Sequence, residues 1–433
     1  MRNGRPCQSP INGAFENNPL LFPGVNAWAT EKFIRITRGE KLKSGHYLLV
    51  RAVTTGNSRA KLVRIAAANL SLYHSIIRPI LFSLPPESAH EFALKTLNNS
   101  AIRACFKQQN RFPELGALKR FGLEFTNPVG LAAGFDKNGT AAAALADLGF
   151  GFIEAGTVTN EAQPGNPKPR VFRLPQDRAL INRLGFNNHG AKELARHLLD
   201  HRPDCVLGVN IGKSRRVAIE ESIPDYLASF EAVYDVADYI AVNISSPNTP
   251  NLRELQRSDL LSELLQSLQK TNRALAQAGS GMTKPLLLKI APDLDQPQIE
   301  SIIEVALRAN ISGIIATNTT VRRDALQTPD AEVQACGEGG LSGAPLRAQS
   351  NQIISLVHRL TRGELPIIGV GGIFTADDAW EKIAAGASLI QLYTGFIYEG
   401  PGVAKRINQG LSEILRREGF DSIDDAVGCR ALR

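Results

Sequence analysis

The sequence predicts a (β/α)8 barrel preceded by two short amphipathic helices. Eight short apolar runs follow one another between residues 129 and 392, and helical stretches lie between them. Nearly every run ends in small or polar residues. Alternating strands and helices of this number are typical of a parallel barrel. A doubly wound open sheet is the alternative, but the count of eight and the glycine-rich ends of the last two runs favour the barrel.

The two helices are predicted just before the barrel. Large aliphatic residues between Leu72 and Leu84 fall on one stripe with helical period, and Pro85 and Pro86 end that helix. A second stripe from Ala89 to Leu97 predicts the next helix. An apolar face of this kind must be covered, either by the barrel or by a membrane surface, and the periodicity does not distinguish the two.

The strands of the barrel are predicted from short apolar runs bounded by polar residues. These runs are 129–132, 152–155, 206–209, 240–242, 286–290, 314–316, 367–370 and 389–392. Helices are predicted between them, for example at 260–276, 298–308 and 376–385. The loops at the carboxyl ends of barrel strands meet at one face, so we expect a binding site where the strand ends supply Asn, Thr, Lys and Gly.

The loop after the fourth strand, from Asn243 to Arg253, is the most informative of these ends. Two prolines prevent it from continuing the sheet, and it presents Asn243, Ser246, Asn248 and Thr249 to one small space. Carboxamides both donate to and accept from a polar heterocycle, and the serine hydroxyl is a candidate nucleophile or proton acceptor. The alternative is a turn in which these side chains cap their own backbone.

Glycines follow the seventh and eighth strands, at Gly371, Gly372 and Gly395. Barrel enzymes commonly bind a phosphate at this position through backbone N–H groups. The glycine-rich stretch from Gly339 to Gly343 could add further donors. The alternative is a set of simple tight turns. The position of these glycines favours a cofactor that carries a phosphate.

Lys289 lies inside the apolar run of the fifth strand. An inward-pointing cation in that setting needs an electron-rich partner. The edge of a reduced flavin is one such partner. Two alternatives remain for Lys289: a lysine that forms a Schiff base with a substrate, or an amine that simply extends to solvent.

Charge and cysteine content exclude several classes of protein. Residues 1–69 hold 11 Lys/Arg and 3 Asp/Glu, while the rest of the chain holds 38 and 39, so the body of the protein is nearly neutral. With no aromatic-interleaved basic patch, we expect no nucleic-acid partner. The five cysteines are far apart, which indicates neither a disulfide framework nor a metal site. No apolar run is long enough for a transmembrane helix.

The sequence predicts four segments along the chain. Residues 1–69 are expected to be a poorly ordered basic extension or the result of a start codon assigned too early; an organellar targeting peptide is the alternative. Residues 70–115 form the predicted helical segment, residues 116–420 the barrel and residues 421–433 a tail.

Four motifs together resemble the dihydroorotate dehydrogenase family, the flavin enzymes of pyrimidine synthesis. The motifs are 182–188 (Asn-Arg-Leu-Gly-Phe-Asn-Asn), 243–253, 316–320 (Ala-Thr-Asn-Thr-Thr) and 339–343 (Gly-Gly-Leu-Ser-Gly). The resemblance covers residues from about Leu72 to Ile414. Serine at position 246, in place of the cysteine base of the cytosolic branch, and the two preceding helices are similar to the membrane-associated, quinone-reducing class 2 branch. Asn251 departs from the glycine usual in the family.

The resemblance implies a role for each matching residue. Ser246 would take a proton from C5 of dihydroorotate while a hydride passes from C6 to the flavin, and Thr249 would orient or relay that proton. The substrate-binding residues would be Lys137, Asn182, Arg183, Leu184, Gly185, Phe186, Asn243, Asn248, Asn318 and Thr319. The residues around FMN would be Ala133, Gly134, Lys137, Thr157, Asn210, Asn243, Lys289, Thr317, Gly343, Gly372, Tyr393 and Thr394.

The resemblance also implies an electron acceptor and a location. Ubiquinone or menaquinone would enter between the two helices, with His90 and Arg173 near the inner end of its channel; for His90 an ordinary position on the helix surface is the alternative. The protein would be a monomeric peripheral membrane protein on the cytoplasmic face of a bacterial membrane, or on the mitochondrial inner membrane.

Two other functions remain possible from the sequence. The first is a barrel that docks on membranes without catalysis, which the full set of polar strand ends opposes. The second is another FMN barrel, such as a dihydropyrimidine or dihydrouridine reductase. Those enzymes would need an iron–sulfur segment or an RNA-binding surface, and the sequence shows neither.

Overall fold

Eight parallel strands close into a barrel in the computed structural model, which describes residues 72–107, 112, 115–116, 118–249, 252–279, 281–324 and 326–431. The strands are β1 (Val129–Leu131), β2 (Phe152–Val158), β3 (Val206–Ile211), β4 (Tyr239–Asn243), β5 (Leu286–Ile290), β6 (Gly313–Ala316), β7 (Ile367–Val370) and β8 (Leu389–Leu392). Each pairs in parallel with the next, and β8 pairs with β1. The predicted (β/α)8 barrel is confirmed, and the open sheet was the wrong alternative.

Helices surround the barrel and cover the apolar outer faces of the strands. They are Ala142–Ala146, Ala191–Asp200, Ser222–Val233, Ser258–Ala278, Gln296–Arg308, Asp330–Cys336, Arg347–Leu360, Ala376–Ala385, Thr394–Glu399 and Val403–Glu418. The helix after β7 is capped by Thr375, whose side chain accepts a hydrogen bond from the Asp378 amide. In return, the Thr375 amide donates to the Asp378 carboxylate, so both hydrogen bonds of this capping box are made.

Two glycines in the strands make room for aromatic rings inside the barrel. A Cβ added to Gly130 would lie 2.4 Å from the Phe152 ring, and one added to Gly208 would lie 2.1 Å from Tyr239. Both rings are fully buried. Because no side chain larger than hydrogen fits beside them, these glycines are required for close packing rather than for chain flexibility.

A hairpin closes the amino end of the barrel. Its strands, Leu118–Arg120 and Leu123–Phe125, pair in antiparallel register, and the Phe125 ring meets Phe152 edge-on at 5.3 Å. The predicted tail packs at this end as well: it contains the helix Ile423–Ala426, and Ile423 is fully buried. With this end filled, the open carboxyl end is left for a ligand.

The N-terminal helices are as predicted, with one addition. A π-helical turn, Tyr73–Ile77, continues into the helix Arg78–Ser83, and the second helix is Pro86–Leu97. A third helix, Ser100–Phe106, was not predicted. From Leu72 onward the chain forms one compact unit. The predicted extension at 1–69 and the departure at Asn251 lie outside the described residues.

Much of the apolar surface of these helices stays exposed. Leu72, Ile76, Ile80 and Phe92 are each about half exposed, at 47, 52, 59 and 57%. The barrel therefore covers only part of the apolar surface that the sequence predicted. Within the ranges that the structure describes, no helix is both long and apolar enough to cross a membrane.

A small antiparallel sheet, which was not predicted, lies over the carboxyl end of the barrel. It consists of Val171–Leu174, Ala179–Asn182 and Gly340–Gly343. The register sets Gly340 opposite Asn182 and Gly343 opposite Ala179. This pairing joins two of the sequence motifs, which are about 160 residues apart in the chain, beside one cavity.

Candidate active site

A cavity of about 130 Å³ opens at the carboxyl end of the barrel, and every strand except β3 supplies part of its wall, either directly or through the loop that follows. Most of the predicted site residues line this cavity. They are Ala133, Gly134, Lys137, Thr157, Asn182, Leu184, Gly185, Phe186, Asn243, Ser246, Asn248, Lys289, Thr317, Asn318, Thr319, Gly343, Gly372, Tyr393 and Thr394.

Three predicted residues are not part of that wall. Asn210 is fully buried behind the wall, and its Oδ1 accepts a hydrogen bond from the Thr157 hydroxyl at 2.5 Å. It therefore holds Thr157, which lines the cavity, in place. Arg183 directs its guanidinium to backbone carbonyls, including Glu338 O at 2.9 Å, and stacks on the Phe172 ring at 4.6 Å. Arg183 therefore ties the loops together outside the cavity. Thr249 is buried within the loop that follows β4.

Carboxamides line the cavity in two hydrogen-bonded groups. Asn243 Nδ2 donates to Thr157 Oγ1 at 3.1 Å, and Asn318 Nδ2 donates to Asn243 Oδ1 at 3.3 Å. On the opposite side, Asn248 Nδ2 donates to Asn182 Oδ1 at 3.3 Å. Mutual bonding fixes the rotamers of these neutral groups without the desolvation cost of a buried charge. The cavity is thus preorganised for a flat ligand rich in amide groups.

Ser246 lies at the cavity wall and is 6% exposed. Its Oγ accepts a hydrogen bond from the Asn248 amide at 3.3 Å, and the Ser245 amide donates to Asn243 Oδ1 at 3.2 Å. The loop therefore does make the self-capping contacts of a turn, and it also presents the serine to the cavity. Thr249 Oγ1 is buried and has no hydrogen-bond partner within the part of the chain that the structure describes.

Three glycines, Gly343, Gly372 and Gly395, form a cradle where the phosphate site was predicted. Gly343 and Gly372 have φ of 105° and 71°, in the region that favours glycine. A Cβ on Gly372 would lie 2.5 Å from Arg347 Cβ, and one on Gly395 would lie 1.9 Å from Ile373 O. The helix Thr394–Glu399 begins here, and the first N–H groups of a helix have no partner inside it.

Lys289 points into the barrel, as predicted, but a carboxylate of the protein itself balances part of its positive charge. Its Nζ lies 3.7 Å from Glu154 Oε1, and both side chains are buried. Sequence reasoning missed Glu154 and also missed Gln391, which lines the cavity. The signal that identified Lys289, a polar residue inside an apolar strand, is present at both positions and would have found them.

Lys137 faces two environments. Its Nζ donates to Gly134 O at 2.8 Å, and the side chain lines both the barrel cavity and a second cavity. Burial, together with the nearby Arg170 charge, lowers the pKa of Lys137 to about 8. Tyr393 and Leu184 also line both cavities, so these three side chains separate them.

The second cavity lies between the N-terminal helices and the barrel. It has a volume of about 630 Å³, nearly five times that of the first, and a mostly apolar wall that includes Leu81, Phe82 and Ala93. His90 lines this cavity, where burial and the Lys137 charge lower its pKa to about 4. A histidine in this position is not an ordinary surface residue.

Arg173 lines the second cavity too, and it joins the first helix to the small sheet. Its guanidinium donates to Leu84 O at 2.8 Å and to Phe82 O at 3.2 Å. It also stacks on the Phe82 ring at 4.6 Å. The predicted pair, His90 and Arg173, is therefore brought to one cavity.

The chain is similar to known proteins of one family over most of its length. The family model described as dihydroorotate dehydrogenase matches residues 117–415. The chain is 49% identical over 367 residues to the dihydroorotate dehydrogenase (quinone) of Gloeobacter violaceus, and the match covers 83% of this chain and 99% of that protein. It is 47% identical over 376 residues to the protein of the same name from Rhodococcus opacus, covering 84% and 100%.

A solved structure gives the same result. The dihydroorotate dehydrogenase of Eimeria tenella in complex with ferulenol superposes with a TM-score of 0.74 at 37% identity, covering 81% of this chain and 98% of that one. Both the family model and these relatives span the barrel and the residues of its cavity. The chain belongs to the dihydroorotate dehydrogenase family.

Proposed function

We propose that this protein oxidises dihydroorotate to orotate, in pyrimidine biosynthesis, with FMN in the barrel cavity and a membrane quinone as the final electron acceptor. The observation that carries the proposal is the convergence of Ser246, the lining carboxamides and Lys137 on the cavity that also holds the glycine cradle. The names of the similar proteins, dihydroorotate dehydrogenase (quinone), support it.

The residues of the cavity fit FMN. The glycine cradle suits a phosphate, and Lys289 offers a cation at the floor. Gln391 Oε1 is a buried acceptor with no partner in the described chain, which suits an N–H of the ligand. FMN would be held by these groups with Ala133, Gly134, Thr157, Thr317, Tyr393 and Thr394, and behind them Asn210. When bound, it supplies a two-electron acceptor next to the substrate.

The chain's own residues would bind the substrate and move its proton. Asn182, Asn243, Asn248 and Asn318 hydrogen-bond the pyrimidine, while Lys137 balances the charge of the carboxylate. Leu184, Gly185, Phe186 and Thr319 complete the wall and exclude water. Ser246 accepts the proton from C5, and Thr249, whose hydroxyl has unused hydrogen-bonding capacity, passes it on.

The second cavity is the proposed quinone site. Its apolar wall suits a ubiquinone or menaquinone tail, and His90 and Arg173 lie within it as polar contacts for the ring. Half-exposed aliphatic residues on the same helices suit insertion into the bilayer surface. We propose a monomeric peripheral protein on the cytoplasmic face of a bacterial membrane or on the mitochondrial inner membrane.

The absorption spectrum of the purified protein tests the proposal. We expect a flavin band, and anaerobic dihydroorotate should bleach it, whereas orotate, the product, should shift the band without bleaching. Subsequent addition of a soluble quinone should restore the band. A flavin that dihydroorotate leaves oxidised would contradict the proposed reaction.

A further inference from the structure

Glu154 lies beneath the cofactor cavity without forming part of its wall. It is on β2, its side chain is completely buried, and its carboxylate has four polar neighbours. Asn210 Nδ2 donates to Oε1 at 2.9 Å, while the Tyr239 hydroxyl and Gln391 Nε2 donate to Oε2 at 3.0 and 2.8 Å. Lys289 Nζ is the fourth, at 3.7 Å from Oε1.

These contacts fix the orientation of the Gln391 amide. A carboxylate only accepts hydrogen bonds, so Gln391 must turn its NH₂ group toward Glu154. The Gln391 oxygen then points away from Glu154, is buried and has no partner in the described chain. The Tyr239 hydroxyl stays a donor, because burial and the adjacent carboxylate raise its pKa well above the ordinary value.

We propose that Glu154 is a positioning residue that orients Lys289 and Gln391 as the polar floor of the cofactor cavity, and that its charge sets the reduction potential of the bound FMN. This proposal rests on the proposed function, since it requires FMN in that cavity. Lys289 and Gln391 touch the cavity. Glu154 acts by orienting these two side chains and through the electric field of its charge at the flavin.

The sign of the effect follows from charge balance. Reduction of the FMN ring by two electrons with uptake of one proton leaves the ring with one additional negative charge. Lys289 favours that charge, and the Glu154 carboxylate, 3.7 Å from the ammonium, offsets part of the attraction. Replacing the carboxylate by a neutral amide of the same shape leaves the buried cation uncompensated, so the reduced form gains stability.

The experiment measures the potential of the flavin in the purified holoenzyme by anaerobic titration against a reference dye, without dihydroorotate or quinone. In Glu154→Gln we expect the two-electron equilibrium to shift at least tenfold toward reduced FMN, a change of about 30 mV in the positive direction. Tyr239→Phe is the matched control, because it removes a neutral donor from the same carboxylate and keeps the charge. We expect it to shift the equilibrium less than threefold.

Two results would overturn the assignment. One is a shift of less than tenfold in Glu154→Gln that retains FMN, and the other is an equal shift in Tyr239→Phe. Should Glu154→Gln fail to fold, Gln391→Met provides the test. Its affinity for FMN is measured by titrating the apoprotein with FMN and recording flavin fluorescence. We expect at least a tenfold rise in Kd, and an unchanged Kd would overturn the role of the floor. A protein that binds FMN but is not bleached by dihydroorotate would refute the proposed reaction and leave this inference standing.

Discussion

Arg170 Nε donates to Glu87 Oε1 at 2.9 Å, and this pair ties the second N-terminal helix to the loop that follows β2. The two side chains are only 7 and 19% exposed. Arg170 also donates to Pro164 O at 2.6 Å and to Asn166 O at 2.9 Å, so its position is fixed by the loop. Glu87 thus docks the helix onto a preformed cationic site beside the second cavity.

Replacing Glu87 with Gln should destabilise the protein. A hydrogen bond to a charged group contributes about 1.5–3 kcal/mol, and the variant leaves Arg170 without its counter-charge. Thermal unfolding of the holoenzyme measures the loss. Glu91→Gln is the control on the same helix: its partner Lys168 is 3.9 Å away and both side chains are more than 60% exposed, so we expect less than about 1 kcal/mol. Equal losses in the two variants would contradict the structural role of Glu87.

Replacing Ser246 with Ala should leave FMN bound and slow its reduction by dihydroorotate. Positioned general bases contribute roughly 10²- to 10⁴-fold, so the stopped-flow rate should fall by that factor. Ser246→Cys should retain part of the rate at raised pH, where the thiolate forms. An alanine variant that reduces its flavin at the normal rate would remove Ser246 from the mechanism.

Lys137 should make orotate binding weaken above about pH 8. Its lowered pKa, about 8, means that the ammonium which balances the substrate carboxylate is present below that pH and is lost as the pH rises through it. Orotate titrations of the oxidised flavin between pH 6 and 9 measure the Kd directly. Lys137→Arg stays charged over this range and should show a flat profile. A flat wild-type profile would contradict the assignment.

Filling the second cavity should separate the two half-reactions. Ala93 lines that cavity, so Ala93→Phe should obstruct quinone and slow flavin reoxidation by at least tenfold, while reduction by dihydroorotate stays within twofold. Ser88→Phe adds the same ring on the exposed side of the same helix and should leave both rates unchanged. If reoxidation is equally fast in both variants, quinone does not use this cavity.

Deleting residues 1–71 should preserve the FMN content and both half-reactions. All the residues proposed for substrate, cofactor and quinone lie after Leu72, and the chain from Leu72 onward forms one compact unit. Flavin absorbance per protein and stopped-flow rates measure the outcome. Loss of flavin from the truncated protein would show that the extension contributes to folding.

The sequence by itself determined the barrel and most of its cavity. Eight apolar runs of strand length predict eight buried strands, and the strand ends then specify where the polar residues meet. For this reason Asn243, Ser246 and Lys289 were placed at the site from their local pattern alone. The apolar stripe from Leu72 to Leu84 also predicted its helix, because helical period depends only on residues that are close together in the sequence.

Only the tertiary structure decided which distant residues share a contact. The pairing of Gly340 with Asn182, the turn of Arg183 away from the cavity and the placement of Glu154 beneath Lys289 all depend on parts of the chain far apart in sequence. Short strands such as Gly340–Gly343 carry no periodic signal, so the small sheet could not be predicted. Burial, which sets the pKa of Lys137 and His90, is likewise a property of the packed molecule, because it arises from neighbours that the local sequence does not contain.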